Sequence, residues 1–280
     1  MRKINVKKIR KAVADLCIKA NTCLRPDIEK AIRRARRKET SKRAGHVLET
    51  LLLNARIAKR KKVAICQDTG LAVVYLSIGE RARLYGGSLV KAVTDGVSDG
   101  YRKGHFRRSV VPDPVVRQKR HSAAHAVIYI DHVKGSRVGI TVSPKGFGSE
   151  NKSGIKMLNP TEGAEGVRKF VVNTVKEAGP NACPPYIIGV GIGGTFEGAA
   201  LLAKKALCRN IGTKNRKAHL RRLEAGILEE INRLNIGPAG LGGKTTGLAV
   251  NILEAPTHIA GLPVAVNVSC HATRSATVSV

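Results

Sequence analysis

The sequence predicts an α/β protein, with mixed β-sheets flanked by helices behind a helical N-terminal region. Three observations predict it. Residues 1–62 repeat apolar side chains at helical spacing. Beyond them come short β-branched runs bounded by Gly or Pro. Between those runs lie amphipathic stretches long enough for helices.

Taken in order, "MRKINVKKIRKAVADLCIKA" reads as an amphipathic helix. Lys7, Lys8, Arg10, Lys11 and Asp15 interrupt its apolar residues, so a signal peptide is not expected. Ile28, Ala31, Ile32 and Ala35 set one face of a further helix, with Arg33, Arg34, Arg36 and Arg37 on the other. Leu48, Leu51, Leu52 and Ile57 continue the pattern. The runs "LAVVYLSIG", "AVIYIDHV", "RVGITVSPKG" and "YIIGVGIGG" read as strands, and "LPVAVNV" is strand-like. Helices are expected over 162–178, 196–208 and 219–234, the last on a stripe of Leu220, Leu223, Ile227, Leu228, Ile231 and Leu234. No repeat or low-complexity linker interrupts the chain, so residues 1–280 are read as a single domain, with 1–62 its basic helical region.

Composition removes several classes. Hydrophobic residues make up 42% of the chain, enough for a core, which argues against disorder. No run reaches the ~18 apolar residues of a membrane span. The six cysteines are scattered without a Cys-x-x-Cys pair, unlike a secreted disulfide framework, so a reducing cytoplasm is expected. The net charge is +30, and residues 1–62 carry 21 basic against five acidic side chains. Such a surface attracts anions in general, whether nucleic acid, an acidic subunit or a carboxylate substrate, and a solvated helix face explains the runs equally well.

Two glycine-rich stretches invite nucleotide readings. In "GPAGLGGKTT" the phosphate-loop pattern requires glycine at 238, where Pro238 stands and removes a backbone donor. In "GVGIGGTFEG", Gly189, Gly191 and Gly194 match a dinucleotide fingerprint, but the expected acidic residue about 20 positions on is replaced by the basic "KNRKAHL". Gly191, Gly193, Gly194 and Thr195 could still offer amides to a carboxylate; packing is the plainer explanation.

Three cysteines stand at element ends: Cys66 in "AICQDTG", Cys183 in "NACPPYIIG" and Cys270 in "NVSCHATRSA". Cys17, Cys23 and Cys208 fall within helical patterns. Three thiolates do not complete a four-ligand zinc site, but they can hold three corners of a cubane and leave its fourth iron open. Unrelated buried thiols are the alternative.

The stretches "ICQDTG", "PKGFGSENKSGIKML", "ACPPYIIGVGIGGT" and "LPVAVNVSCHATR" resemble the class I, iron–sulfur fumarate hydratase and L(+)-tartrate dehydratase family, and the chain is similar to the alpha subunit of its two-chain members from "IRKAVADLCIKAN" to residue 280. The resemblance implies a [4Fe-4S] cluster on Cys66, Cys183 and Cys270. It implies reversible hydration of a small dicarboxylate, fumarate to malate, with L(+)-tartrate dehydration as the alternative. It gives Asp68 and His258 catalytic roles and makes Gln67, Arg107 and Gly148 substrate-binding. Arg107 would grip a carboxylate, for which a guanidinium is suited. His271 is expected to be structural. It implies a beta subunit that completes the active site, in an α2β2 assembly, with no membrane partner. A basic, non-catalytic nucleic-acid binder is the competing class; binding that survives cluster loss and weakens steeply with salt would mark it. The family usually carries Asn-Thr-Gly-Asp-Asn-Thr-Pro-Ala where this chain has Lys119 to Ala126, so a differently shaped loop is expected there.

Overall fold

Residues 1–117 and 125–280 are described in the computed structural model of this chain. Most of the divergent 119–126 stretch therefore lies outside the described residues. The first half runs β1 (Arg2–Asn5), α1 (Val6–Thr22), α2 (Pro26–Lys38), α3 (Lys42–Lys61), β2 (Leu71–Gly79), β3 (Ala82–Tyr85), α4 (Leu89–Lys103), β4 (Ala126–Val133) and β5 (Val138–Lys145). The second runs α5 (Phe147–Glu150), β6 (Gly154–Leu158), α6 (Gly163–Ala178), β7 (Tyr186–Gly194), α7 (Phe196–Ala206), α8 (Ala218–Arg233), β8 (Gly247–Thr257), β9 (Leu262–Ser269) and β10 (Ala276–Ser279). This is the α/β architecture expected, mostly helical up to Lys61 with mixed sheets following, except that Arg2–Asn5, read as helix, form strand β1 paired with β3.

The chain clusters into two compact units. The first comprises Met1–Arg25, Asn54–Phe147 and Arg274–Val280. Its four-stranded sheet has the order β10-β5-β2-β4, with β2 parallel to β4 and antiparallel to β5. Continuous apolar sequence suits β2 to this central place: Val73, Val74, Leu76 and Ile78 are buried. The Asn5 side chain accepts from Lys7 N–H and starts α1, whose Ile9, Val13 and Leu16 join the core. α4 was not anticipated, because two glycines interrupt its helical pattern. Those glycines have a packing reason. A β-carbon would stand 2.6 Å from Arg10 O at Gly96 and 2.7 Å from Ala14 O at Gly100, so both let α4 lie against α1.

The second unit comprises Pro26–Leu53 and Gly148–Thr273. Its sheet has the order β6-β9-β7-β8, with β7 parallel to β8 and antiparallel to β9. β7 is buried along nearly its whole length, and Tyr186, Ile188 and Val190 form the core with Val171, Val175, Ile227 and Ile231. The glycines of "GVGIGG" also serve packing. A β-carbon would stand 2.1 Å from Ala203 O at Gly189 and 2.0 Å from Ala199 O at Gly191, so only glycine lets α7 sit this close to β7. The "GPAGLGGKTT" amides are committed to protein acceptors. Gly237 donates to Thr246 Oγ1, Gly242 to Ile236 O, Gly243 to Asn235 Oδ1 and Lys244 to Glu39 Oε2. A carboxylate thus stands where a nucleotide phosphate would be required.

Candidate active site

In the first unit the segment from Ile65 to Gly70 has little regular structure, yet its main chain is gripped at nearly every residue. Ile65 N–H donates to Asn21 O at 2.9 Å, and Asn54 Nδ2 donates to Ile65 O at 2.9 Å. Tyr101 Oη, buried beneath the loop, donates to both Thr69 O and Gly70 O at 2.9 Å. Thr69 Oγ1 donates to Arg107 O at 3.4 Å. Gly70 adopts φ +73°, and a β-carbon there would stand 2.6 Å from the Lys145 carbonyl carbon, so the loop closes onto β5 only with glycine. The result presents Cys66 half-buried, Gln67 exposed and Asp68 half-buried.

Asp68 is fixed at both ends. Its Oδ1 accepts from Gly70 N–H at 3.0 Å and its Oδ2 from Phe147 N–H at 2.8 Å. Its main-chain oxygen accepts from Arg274 Nη2 at 2.8 Å. The carboxylate therefore has a defined direction, beyond what a turn-capping aspartate requires. Cys66 Sγ donates to Gln67 Oε1 at 3.4 Å. Arg107 is exposed, and its main chain meets this loop through Thr69.

In the second unit Cys183 and Cys270 lie at one end of the β6-β9-β7-β8 sheet. The register pairs Ile187 with Ser269, so Cys270 follows β9 just where Cys183 leads into β7. Cys183 is exposed, with φ +55° and a cis Pro184–Pro185 bond after it, and Cys270 is half-buried. His271 joins the two loops: its N–H and Nδ1 both approach Cys183 O, at 3.4 and 3.1 Å. A carbonyl only accepts, so Nδ1 carries the proton and His271 has the bracing role expected of it. Tyr186, between the two loops, donates to Gly179 O; burial pushes its hydroxyl up to about 12, and both thiols add to that. His258 is exposed after β8, and its Nδ1 accepts from Ala260 N–H at 3.2 Å, which leaves the ring proton on Nε2. Gly148 is exposed, with no atom within 4 Å of where a β-carbon would stand, so this position is open to a ligand.

The six cysteines, all described, form no disulfide. Cys23 caps the end of α1 and Cys208 follows α7, both half-buried like Cys66 and Cys270, so exposure alone does not separate the two sets. Burial pushes the Cys17 thiol up to about 12, making it a core residue, whereas Cys66, Cys183 and Cys270 lie in loops with at least partial access to solvent. Among the described residues no three His, Cys, Asp or Glu side chains gather around a point that a single metal ion would fill. A cubane is a larger guest whose thiolates stand at separate corners, and the donor types here, accessible thiols on short loops, fit it. The sequence reading missed Tyr101, Asn21 and Arg274 as builders of the Asp68 loop. All three are buried polar residues, and their contacts to it span from about 30 to over 200 positions, so no local spacing announces them.

The family model described as fumarate hydratase (Fumerase) matches residues 10–279. A Methanocaldococcus jannaschii protein provisionally named an L(+)-tartrate dehydratase subunit alpha is 37% identical, over 96% of this chain and 96% of its own. L(+)-tartrate dehydratase alpha subunits of Escherichia coli and Shigella sonnei are 32% and 31% identical, each over 98% of this chain and 91% of theirs. Among the described residues no helix is long and apolar enough to cross a membrane. The chain belongs to the fumarate hydratase (Fumerase) family of hydro-lyases.

Proposed function

We propose that the chain is the alpha subunit of a two-subunit, cytoplasmic hydro-lyase that reversibly hydrates a small dicarboxylate, fumarate to malate. Its cofactor is a [4Fe-4S] cluster with Cys66, Cys183 and Cys270 as thiolate ligands, and a beta subunit completes the site in an α2β2 assembly. The observation that carries this reading is the Asp68 loop: a carboxylate aimed by two main-chain amides, two residues from a half-buried cysteine.

When bound, the cluster supplies a Lewis acid that polarises the substrate hydroxyl. The chain's own residues do the rest. Arg107 pairs with a substrate carboxylate and Gln67 donates its amide to the substrate. Gly148 keeps room for the substrate beside its own main chain. In dehydration a general base takes the proton from the carbon next to the hydroxyl-bearing one. The hydroxyl leaves as water after receiving a proton, and hydration reverses both transfers. Asp68 and His258 are the groups assigned to these transfers, His258 through the proton on Nε2. Such acid–base help contributes about 10²–10⁴-fold.

A second reading, dehydration of L(+)-tartrate, is favoured by the names of the relatives. It needs the same residues, since tartrate is a dicarboxylate with a hydroxyl beside an acidic C–H. The deciding experiment is an anaerobic assay of the chain with its co-purified partner subunit against malate, fumarate and L(+)-tartrate. Turnover of malate and fumarate supports the first reading and of tartrate the second; turnover of none refutes both.

A further inference from the structure

Arg274 is 4% exposed, and no carboxylate lies within ion-pair distance of it among the described residues. Its Nη2 donates to Asp68 O at 2.8 Å and its Nη1 to Asn21 Oδ1 at 3.1 Å, while Nε has no acceptor. Asn21 is completely buried and is itself fixed, donating through Nδ2 to Cys17 O at 3.0 Å. Burying a guanidinium that no carboxylate contacts directly is costly, and a neutral donor would serve a merely structural bond to a carbonyl at less expense. What the guanidinium adds is a short, charge-assisted bond with fixed direction. Gly146 shows how close this clamp lies to the reactive end of Asp68: a β-carbon there would stand 3.1 Å from Asp68 Oδ2 and 3.3 Å from Arg274 Nη2. Both groups border the same small gap, which glycine leaves unfilled.

We propose that Arg274 is a positioning residue for Asp68: oriented by Asn21, it clamps the Asp68 main chain so that the carboxylate, already held by Gly70 and Phe147, points in one direction. The proposal rests on the role given to Asp68 above, through which alone Arg274 acts. It differs from every role assigned to the "CHATR" stretch so far, where Cys270 is the metal ligand and His271 the brace.

The test uses the full chain in its anaerobic, cluster-loaded assembly, with Arg274→Gln, Arg274→Lys and Arg274→Gly. Misplacing a reacting group by about 1 Å costs about 10²-fold. Arg274→Gln should therefore lose about 100-fold in kcat, with KM changed by less than about threefold and the visible iron–sulfur absorption retained. Millimolar methylguanidinium should return at least about tenfold of the lost kcat to Arg274→Gly and nothing to wild type. Arg274→Lys, which keeps the charge but replaces the two-nitrogen fork with a single ammonium, should fold like wild type and fall between wild type and Arg274→Gln. Wild-type kcat in Arg274→Gln, or losses that track thermal stability with no rescue by methylguanidinium, would overturn the proposal. A second readout is independent of turnover. Amide exchange of residues 67–70 should quicken in Arg274→Gln while β2 and α4 stay protected; unchanged exchange there overturns it too. If wild type turns over no diacid, the proposed function fails, and the exchange measurement still decides whether Arg274 clamps the loop.

Discussion

Tyr101→Phe isolates the support beneath the Asp68 loop. The substitution removes one oxygen and leaves the ring, which packs edge-on against Phe106 with centroids 5.5 Å apart. No cavity of note opens, so the loss is that of the hydrogen bonds. Thr69 O and Gly70 O, both at 2.9 Å, lose the donor they share in a site where Thr69 is 2% exposed. Leaving buried acceptors unsatisfied costs about 1–3 kcal/mol. In a chain of this size that corresponds to a fall of about 2–5 °C in the melting midpoint. Differential scanning calorimetry reads the midpoint, and amide exchange should locate the loosening at residues 66–70. A midpoint within about 1 °C of wild type would refute the claim that this hydroxyl supports the loop.

Two further predictions concern packing and pH. Burial raises the Cys17 thiol from an ordinary 9.0 to about 12, so the folded chain keeps its proton over a range where the unfolded chain has lost it. That contribution is full below about pH 9 and is lost as pH rises towards 12, at up to about 1.4 kcal/mol per pH unit. Urea midpoints should therefore decline from pH 9 upward in wild type but begin to fall only later in Cys17→Ala, where the buried tyrosines still titrate; identical slopes would contradict this. Gly189→Ala places a β-carbon 2.1 Å from Ala203 O, which main-chain movement alone can relieve. It should cost about 1–3 kcal/mol or more in thermal denaturation, whereas an unchanged midpoint would mean that α7 does not need glycine beneath it.

Much of the fold could be read from the chain because its strands are short β-branched runs stopped by glycine or proline. The runs 71–79, 126–133 and 186–194 appear in the structure with those bounds, and the helices expected over 162–178, 196–208 and 219–234 end within two residues of the observed ones. α4 was missed because Gly96 and Gly100, helix breakers in isolation, are required by tertiary packing. β8 was missed because Asn251, Glu254 and Pro256 disturb a strand pattern. Asn251 is nevertheless 2% exposed, its amide donating to Ala206 O and Arg209 O. The candidate site was legible where unusual residues adjoin, as in Cys66-Gln67-Asp68. Its supports were not, because Tyr101, Asn21 and Arg274 reach the loop from segments with no sequence relation to it.

The sulfurs of residues 66, 183 and 270 are the proposed ligands on which the hydration chemistry depends. Iron and acid-labile sulfide should be counted in anaerobically purified wild-type assembly and in single Cys→Ser variants at each of the six cysteines. About four of each per chain are expected in wild type and in the 17, 23 and 208 variants, with loss of iron and visible absorption in the 66, 183 and 270 variants. Iron that is absent from wild type, or indifferent to those three substitutions, would contradict the account.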